Sequence, residues 1–258
     1  MGEKRKEKCT IVSQEQIGTD TYSMWLQTET VASGAKPGQF ASIYSRDGSR
    51  LLPRPISICE IDKEQGRLRF VYRVVGKGTE EFSGYHKGVS LDVLGPLGNG
   101  FPLEEAEGKK VILIGGGIGI APMLETAKQL NAEKQIVLGY RDELFLNQEF
   151  EKYGNVYVAT EDGSAGTKGN VLDVIREQEL KADVIFACGP TPMLRAVKAY
   201  AESEGIVCWI STEEHMACGI GACLACVCKS KEKDHHSHVH NKRVCKDGPV
   251  FLSTEVEL

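Results

Sequence analysis

Four of the nine cysteines are crowded between positions 218 and 228, and a fifth follows at 245. Cys218-x4-Cys223-x2-Cys226 with a more distant cysteine has the spacing of a plant-type [2Fe–2S] ligand set. Three thiolates on one short loop can meet the same pair of irons. Gly219, Gly221, Ala222 and Ala225 let backbone N–H groups turn toward the sulfurs. Zinc also accepts four thiolates, but structural zinc sites pair two Cys-x2–4-Cys knuckles and only one compact group occurs here. Free core cysteines would have to crowd together by chance. The fourth ligand is open between two residues. Cys245 stands 19 positions after Cys226 and starts a second short segment, whereas Cys228 shares a face with Cys226 if that stretch is extended. Cys9, Cys59 and Cys208 are isolated and read as small core residues.

A second group is Gly115-Gly116-Gly117-Ile118-Gly119-Ile120-Ala121-Pro122, directly after an apolar run. Glycines here let a backbone turn approach a pyrophosphate at a helix start. Pro122 takes the last glycine's place in G-x-G-x-x-G, so taken alone the stretch fits a tight turn equally well. Its partner is Cys188-Gly189-Pro190-Thr191-Pro192-Met193, which also ends a strand-like run. A third group is Arg54-Pro55-Ile56-Ser57, Val71-Tyr72-Arg73 and Gly78-Thr79. An arginine can grip phosphate, and a serine can reach a flavin ring atom. Spacing alone fits an ordinary turn and a surface arginine just as well.

The elements that must position these groups change character along the chain. Up to about residue 101, short strand-like runs at 22–27, 40–44, 56–60, 67–75 and 90–94 alternate with turns such as Asp47-Gly48 and Gln65-Gly66. They suggest a small antiparallel β-barrel. From residue 110, β-branched runs at 111–114, 136–139, 156–160, 184–187 and 207–211 alternate with helical stretches at 121–130, 144–153, 171–177 and 193–203. That alternation predicts a Rossmann-like parallel sheet with a ligand crevice at its carboxyl edge, where both glycine turns fall. The expected domains are 1–103, 104–212 and a cluster segment at 213–258.

Composition sets outer bounds. With 258 residues, 41% hydrophobic and 26% charged, the chain reads as an ordinary soluble globular protein. A net charge of −5 gives no electrostatic reason to bind nucleic acid. The charged N-terminus lacks the apolar stretch of a secretory signal, and residues 111–124 are too short to span a bilayer. A cytoplasmic location follows as an expectation. Thiols would stay reduced there, which favours metal or redox chemistry over disulfides.

Together these motifs resemble the ferredoxin–NADP reductase superfamily over nearly the whole chain. Their order, the C-terminal cluster and the stretch 211–226 are most similar to the electron-transfer subunits of NAD-dependent (class 1B) dihydroorotate dehydrogenases. The resemblance implies that Arg54, Pro55, Ile56, Ser57, Val71, Tyr72, Arg73, Gly78 and Thr79 hold FAD. It implies NAD at Gly115, Gly116, Gly117, Gly119, Thr160, Asp162, Cys188, Gly189 and Pro190, and the cluster on Cys218, Cys223, Cys226 and Cys245. It further implies a separate (β/α)8-barrel, flavin-containing catalytic subunit that oxidises dihydroorotate in pyrimidine biosynthesis, assembled as a heterotetramer. Two other readings share these cofactors: a subunit of a ferredoxin:NAD(P) oxidoreductase or sulfide dehydrogenase, and a non-catalytic NADH or redox sensor. NAD is expected over NADP because Asp142 and Glu143 follow Arg141; carboxylates accept from a ribose 2′-hydroxyl and repel a 2′-phosphate. Two departures stand out. His215 sits where the branch often has arginine, and the stretch at 229–243 carries His235, His236, His238 and His240, read as a solvated loop rather than a metal site.

Overall fold

The computed structural model describes residues 3–233 and 239–258. His235, His236 and His238, named above, lie outside the described residues. The first half is a closed six-stranded barrel in the order β1-β2-β5-β4-β3-β6. Its strands are β1 (Arg5–Gly18), β2 (Thr21–Gln27), β3 (Phe40–Ile43), β4 (Arg54–Asp62), β5 (Arg67–Arg73) and β6 (Ser90–Leu97). Two short helices, α1 (Val31–Gly34) and α2 (Lys77–Ser83), cover its ends. Alternate residues such as Met24, Leu26, Leu68 and Phe70 fill the interior. The longest strand, β1, is missing from the sequence reading. Mainly Cys9 and Ile11 point inward from it, and its outer face is Lys, Glu and Gln, so it carries little apolar signal. Register shifts at Ile11/Ser13 and Gln16/Gly18 bend it so that it pairs with both β2 and β6 and closes the barrel.

The second half alternates as expected: β7 (Lys110–Gly116), α3 (Ile120–Gln129), β8 (Glu133–Tyr140), α4 (Asn147–Phe150), β9 (Asn155–Thr160), β10 (Thr167–Lys168), α5 (Val171–Glu177), β11 (Val184–Cys188), α6 (Thr191–Glu204) and β12 (Val207–Ser211). Central strands β7 and β11 are covered on both faces, and Val111 to Ile114 are fully buried. Each such side chain contributes about 2 kcal/mol by leaving water. The helix expected at 144–153 is only the single turn Asn147–Phe150. Leu146 is left-handed (φ 62°), and the Tyr140 hydroxyl donates to Phe145 O at 2.8 Å, closing residues 140–145 into a loop instead.

The C-terminal segment does not stand apart. After the hairpin β13 (Val227–Lys229) and β14 (Asn241–Arg243), β15 (Val250–Leu252) returns as an antiparallel edge strand beside β12. The sheet order is therefore β10-β9-β8-β7-β11-β12-β15. Asn99, just past the barrel, holds that edge: its amide donates to Val250 O at 2.8 Å and its oxygen accepts from Val250 N at 3.0 Å.

Barrel and sheet meet through buried polar groups. Glu125 of α3 is 1% exposed and accepts from Ile61 N at 2.7 Å. Arg69 donates to Ser23 Oγ at 2.9 Å, Glu60 at 2.7 Å and Glu149 at 2.6 Å. Burial works against its charge, but hydrogen bonds to Glu149 and Glu60 outweigh it and the pKa lies above the ordinary value. Replacing Arg69 with Met leaves Glu60 only Lys128 at 3.9 Å and Glu149 to solvent, so urea unfolding should show a loss of about 2–3 kcal/mol. A change within about 0.5 kcal/mol would mean that water replaces the guanidinium at no cost.

Candidate functional site

Barrel, sheet and tail converge on a cleft of about 290 Å³. Pro55, Ile56 and Ser57 of β4 and Val71, Tyr72 and Arg73 of β5 form its barrel wall. Ile118 comes from the first glycine turn, and Thr212, Glu213 and Met216 from the start of the tail. Tyr72 is buried; it stacks on Tyr22 with centroids 5.8 Å apart, and its hydroxyl donates to Gln14 at 3.1 Å. Tyr72 lines the cleft while its hydroxyl is already used. Arg54 lines the adjoining pocket with Leu51, Leu52 and Met216, its guanidinium across Gly78, where a Cβ would fall 2.1 Å from Nε. Only glycine leaves that space. Thr79 does not face outward: its hydroxyl donates to Gly76 O at 3.0 Å and accepts from Val75 N at 3.0 Å, closing the turn into α2. An aromatic and aliphatic slot with Arg73 in its wall and Arg54 in the adjoining pocket fits an isoalloxazine ring joined to a pyrophosphate.

The two glycine turns lie side by side at the sheet's carboxyl edge, for a reason the sequence reading did not give. A Cβ on Gly116 would meet Met193 Sδ at 2.4 Å, and one on Gly119 would meet Cys188 O at 2.6 Å. One on Gly189 would meet Met193 Cε at 2.5 Å, and one on Gly115 the Ile120 backbone at 2.8 Å. Gly116, Gly119 and Gly189, with Pro190 beside Gly116, pack the two turns against each other, while Gly115 makes room for Ile120 of its own turn. Gly117 alone (φ 54°) has open space where a side chain would stand. It faces a second pocket of about 390 Å³ shared with Arg73, Tyr140, Arg141 and Asp142. Thr160 is buried and bonds Ala165 in both directions (2.8 and 3.1 Å). Asp162 is exposed, and bonds from the Ser164 N–H and hydroxyl hold its pKa down. These two residues build the β9–β10 loop. Cys188 is fully buried, so desolvation pushes its thiol up.

The tail continues from the cleft straight into the thiol loop. Cys218 follows two residues after the cleft residue Met216. Gly219 and Gly221 are left-handed (φ 69° and 87°), which turns the Ile220 and Ala222 N–H groups onto Cys218 Sγ at 3.5 and 3.3 Å. Desolvation raises the Cys218 pKa, but hydrogen bonds from Ile220, Cys223 and Ala222 bring it down to about 6. Cys223 is exposed, and Cys226 and Cys245 are buried. Cys226 Sγ accepts from Cys245 N at 3.4 Å, and burial together with the Cys226 thiol pushes Cys245 up to about 12. The thiols thus lie as two neighbouring pairs, 218 with 223 and 226 with 245. Among the described residues no three Cys, His, Asp or Glu side chains are set to hold a single metal ion. Two thiol pairs suit a cluster in which each iron takes two sulfurs.

Cys226 occupies the turn before β13, so the extended geometry that would align it with Cys228 is absent. Cys228 lies on β13 opposite Lys242, where desolvation and then the Glu214 charge raise its thiol pKa. Cys9, Cys59 and Cys208 are buried core residues. His215 is exposed, beside Leu51, Leu52 and Arg54. His240 Nδ1 is 2.9 Å from Lys231 O. Glu213 escaped the sequence reading. It keeps solvent contact yet is crowded by the cleft, and desolvation raises its carboxyl. Its position after the carboxyl end of β12 was the available signal.

Residues 213–257 match the family described as the iron–sulfur cluster binding domain of dihydroorotate dehydrogenase B. Residues 113–199 match an oxidoreductase NAD-binding domain, and 8–101 an oxidoreductase FAD-binding domain. A protein of Fusobacterium nucleatum named dihydroorotate dehydrogenase B (NAD(+)), electron transfer subunit, is 45% identical over 263 residues, covering 98% of each chain. The protein of the same name from Bacillus caldolyticus is 44% identical, covering 98% of this chain and 99% of its own. The chain belongs to the family of dihydroorotate dehydrogenase B electron transfer subunits. FAD, NAD and an iron–sulfur cluster are the cofactors its domains serve. Its fold also matches the solved structure of an NADH-dependent reduced ferredoxin-NADP oxidoreductase, with a TM-score of 0.85 and 33% identity over 96% of this chain and 89% of that one. Similarity to a flavohemoglobin from Malassezia yamatoensis (TM-score 0.67, 24% identity, 78% of this chain and 57% of that one) concerns the fold alone. No described helix is long and apolar enough to cross a membrane.

Proposed function

We propose that this chain relays electrons between a dihydroorotate-oxidising subunit and NAD, in keeping with relatives named electron transfer subunits of dihydroorotate dehydrogenase B (NAD(+)). The observation that carries the reading is the continuity of residues 211–218, which line the cleft and then supply the first thiol of the cluster loop. An electron therefore has no intervening domain to cross.

Cys218, Cys223, Cys226 and Cys245 hold a [2Fe–2S] cluster in this reading, supported by the two thiol pairs and the N–H groups aimed at Cys218. The barrel wall at 54–57 and 71–73, with Gly78 and Thr79, holds FAD. When bound, FAD exchanges hydride with nicotinamide and single electrons with the cluster, which is why it suits this junction. Ser57 would orient the ring, Arg54 would neutralise the pyrophosphate, and Ile118 with Met216 would exclude water from the slot. NAD enters over Gly117, the one open glycine of its turn.

Dihydroorotate chemistry belongs to a partner, proposed as a flavin-containing (β/α)8 barrel in a heterotetramer in the cytoplasm. Apolar side chains beside the thiol loop support a protein partner: Leu51 is 83% and Leu224 58% exposed. The ferredoxin-linked reading has the 33% identical structure in its favour, against 45% identity and a four-cysteine set for the dihydroorotate branch. Purified anaerobically, the chain should contain one FAD and about two irons and oxidise NADH with ferricyanide. Turnover separates it from a sensor. NADPH should be a poor donor, and a clear NADPH preference defeats the NAD assignment.

A further inference from the structure

The carboxylate of Glu143, expected to face a ribose, is committed elsewhere. Its Oε2 accepts from Thr19 N at 2.7 Å, in the turn between β1 and β2 of the flavin barrel. Gly18 leaves room for it, since a Cβ there would lie 3.3 Å from the carboxyl. That turn is itself fixed to the flavin wall: Val74 N donates to Asp20 O at 2.7 Å, and Thr21 pairs with Arg73 of β5. On the other side, Glu143 ends a loop held by its own contacts. Tyr140 closes onto Phe145, Asp142 Oδ1 accepts from Glu143 N at 2.8 Å, and Glu161 N donates to Arg141 O at 3.1 Å. Thr19, Asp20 and Arg73 from the barrel and Gly117, Arg141 and Asp142 from the sheet then face each other across the second pocket.

We propose that Glu143 is a positioning residue for the nicotinamide dinucleotide. It latches the β8–α4 loop onto the β1–β2 turn, so that the barrel becomes the second wall of the nucleotide pocket. This rests on the NAD reading above. A charged acceptor on a backbone N–H is a strong but reach-limited contact. The contact is solvent-exposed, so charge adds little and reach decides. Glutamine keeps an acceptor oxygen at the same reach. Aspartate keeps the charge but falls one methylene short, and alanine removes the acceptor.

The test is steady-state NADH:ferricyanide kinetics of the full chain with FAD and cluster bound, alongside flavin content and thermal midpoint. Glu143→Ala and Glu143→Asp should raise the KM for NADH about tenfold, with kcat within about twofold of wild type. Glu143→Gln should restore KM to within about twofold. An unchanged KM in both Ala and Asp variants overturns the latch, as does a Gln variant as impaired as Ala. A lowered midpoint with unaltered KM also overturns it, since that is a purely structural contact. Should alanine fail to fold, the Asp and Gln pair still decides. A wild-type protein that holds FAD yet neither binds nor oxidises NADH would defeat the NAD reading itself, a result distinguishable from any of these.

Discussion

Cys245→Ser is expected to yield a chain that retains FAD but loses most of its iron, whereas Cys228→Ser should keep about two irons per chain. The two cysteines differ in surroundings more than in distance along the sequence. Cys245 is fully buried, its N–H donates to Cys226 Sγ at 3.4 Å, and its thiol interacts with those of Cys226 and Cys218. Cys228 projects from β13, and the charges that act on its thiol are those of Glu214 and Lys242. A serine at 245 leaves one iron short of a soft ligand in a closed site, with no free thiol turned toward it. Iron and sulfide analysis together with visible absorption decides the matter. Full iron in the 245 variant, or its loss in the 228 variant, would transfer the fourth position to Cys228.

This choice also marks where the sequence stops being informative. Cys-x4-Cys-x2-Cys is local, so its chemistry is legible from spacing, whereas the fourth ligand depends on a turn at Cys226 that spacing does not reveal. The parallel sheet was legible because strands such as β7 and β11 are buried on both faces and read as unbroken apolar runs. Strand β1 was not, because barrel closure rather than hydrophobicity recruits its polar outer face. The acidic pair at 142 and 143 carries the same lesson for the site. Composition suggested two ribose acceptors, while a contact reaching back 124 residues turns Glu143 toward the barrel. Glycines at 116, 119 and 189 read as positions of ligand approach and serve turn-to-turn packing. Long-range contacts of that kind leave no local trace.

The isolated chain should oxidise NADH with artificial acceptors and show no activity toward dihydroorotate; with its catalytic partner, dihydroorotate should reduce NAD⁺. The 290 Å³ cleft is the slot assigned to the flavin ring, so dihydroorotate is expected to bind on the partner. Electrons are therefore expected to enter through the tail. Cys223 is exposed, next to Leu224 in a left-handed turn (φ 59°), so the outer edge of the cluster would face a docked partner. On that geometry the cluster is the expected carrier between the two proteins. Cys223→Ser in the reconstituted complex should cut dihydroorotate-dependent NAD⁺ reduction by at least about a hundredfold, a barrier increase of about 2.7 kcal/mol. NADH oxidation by ferricyanide in the same sample reports whether the flavin and nucleotide sites survive the substitution. Loss of both activities would point to general collapse. Loss of the coupled reaction alone places the cluster on the route. A coupled rate that persists without iron would mean that electrons reach the flavin directly from the partner, and the relay order argued here would be wrong.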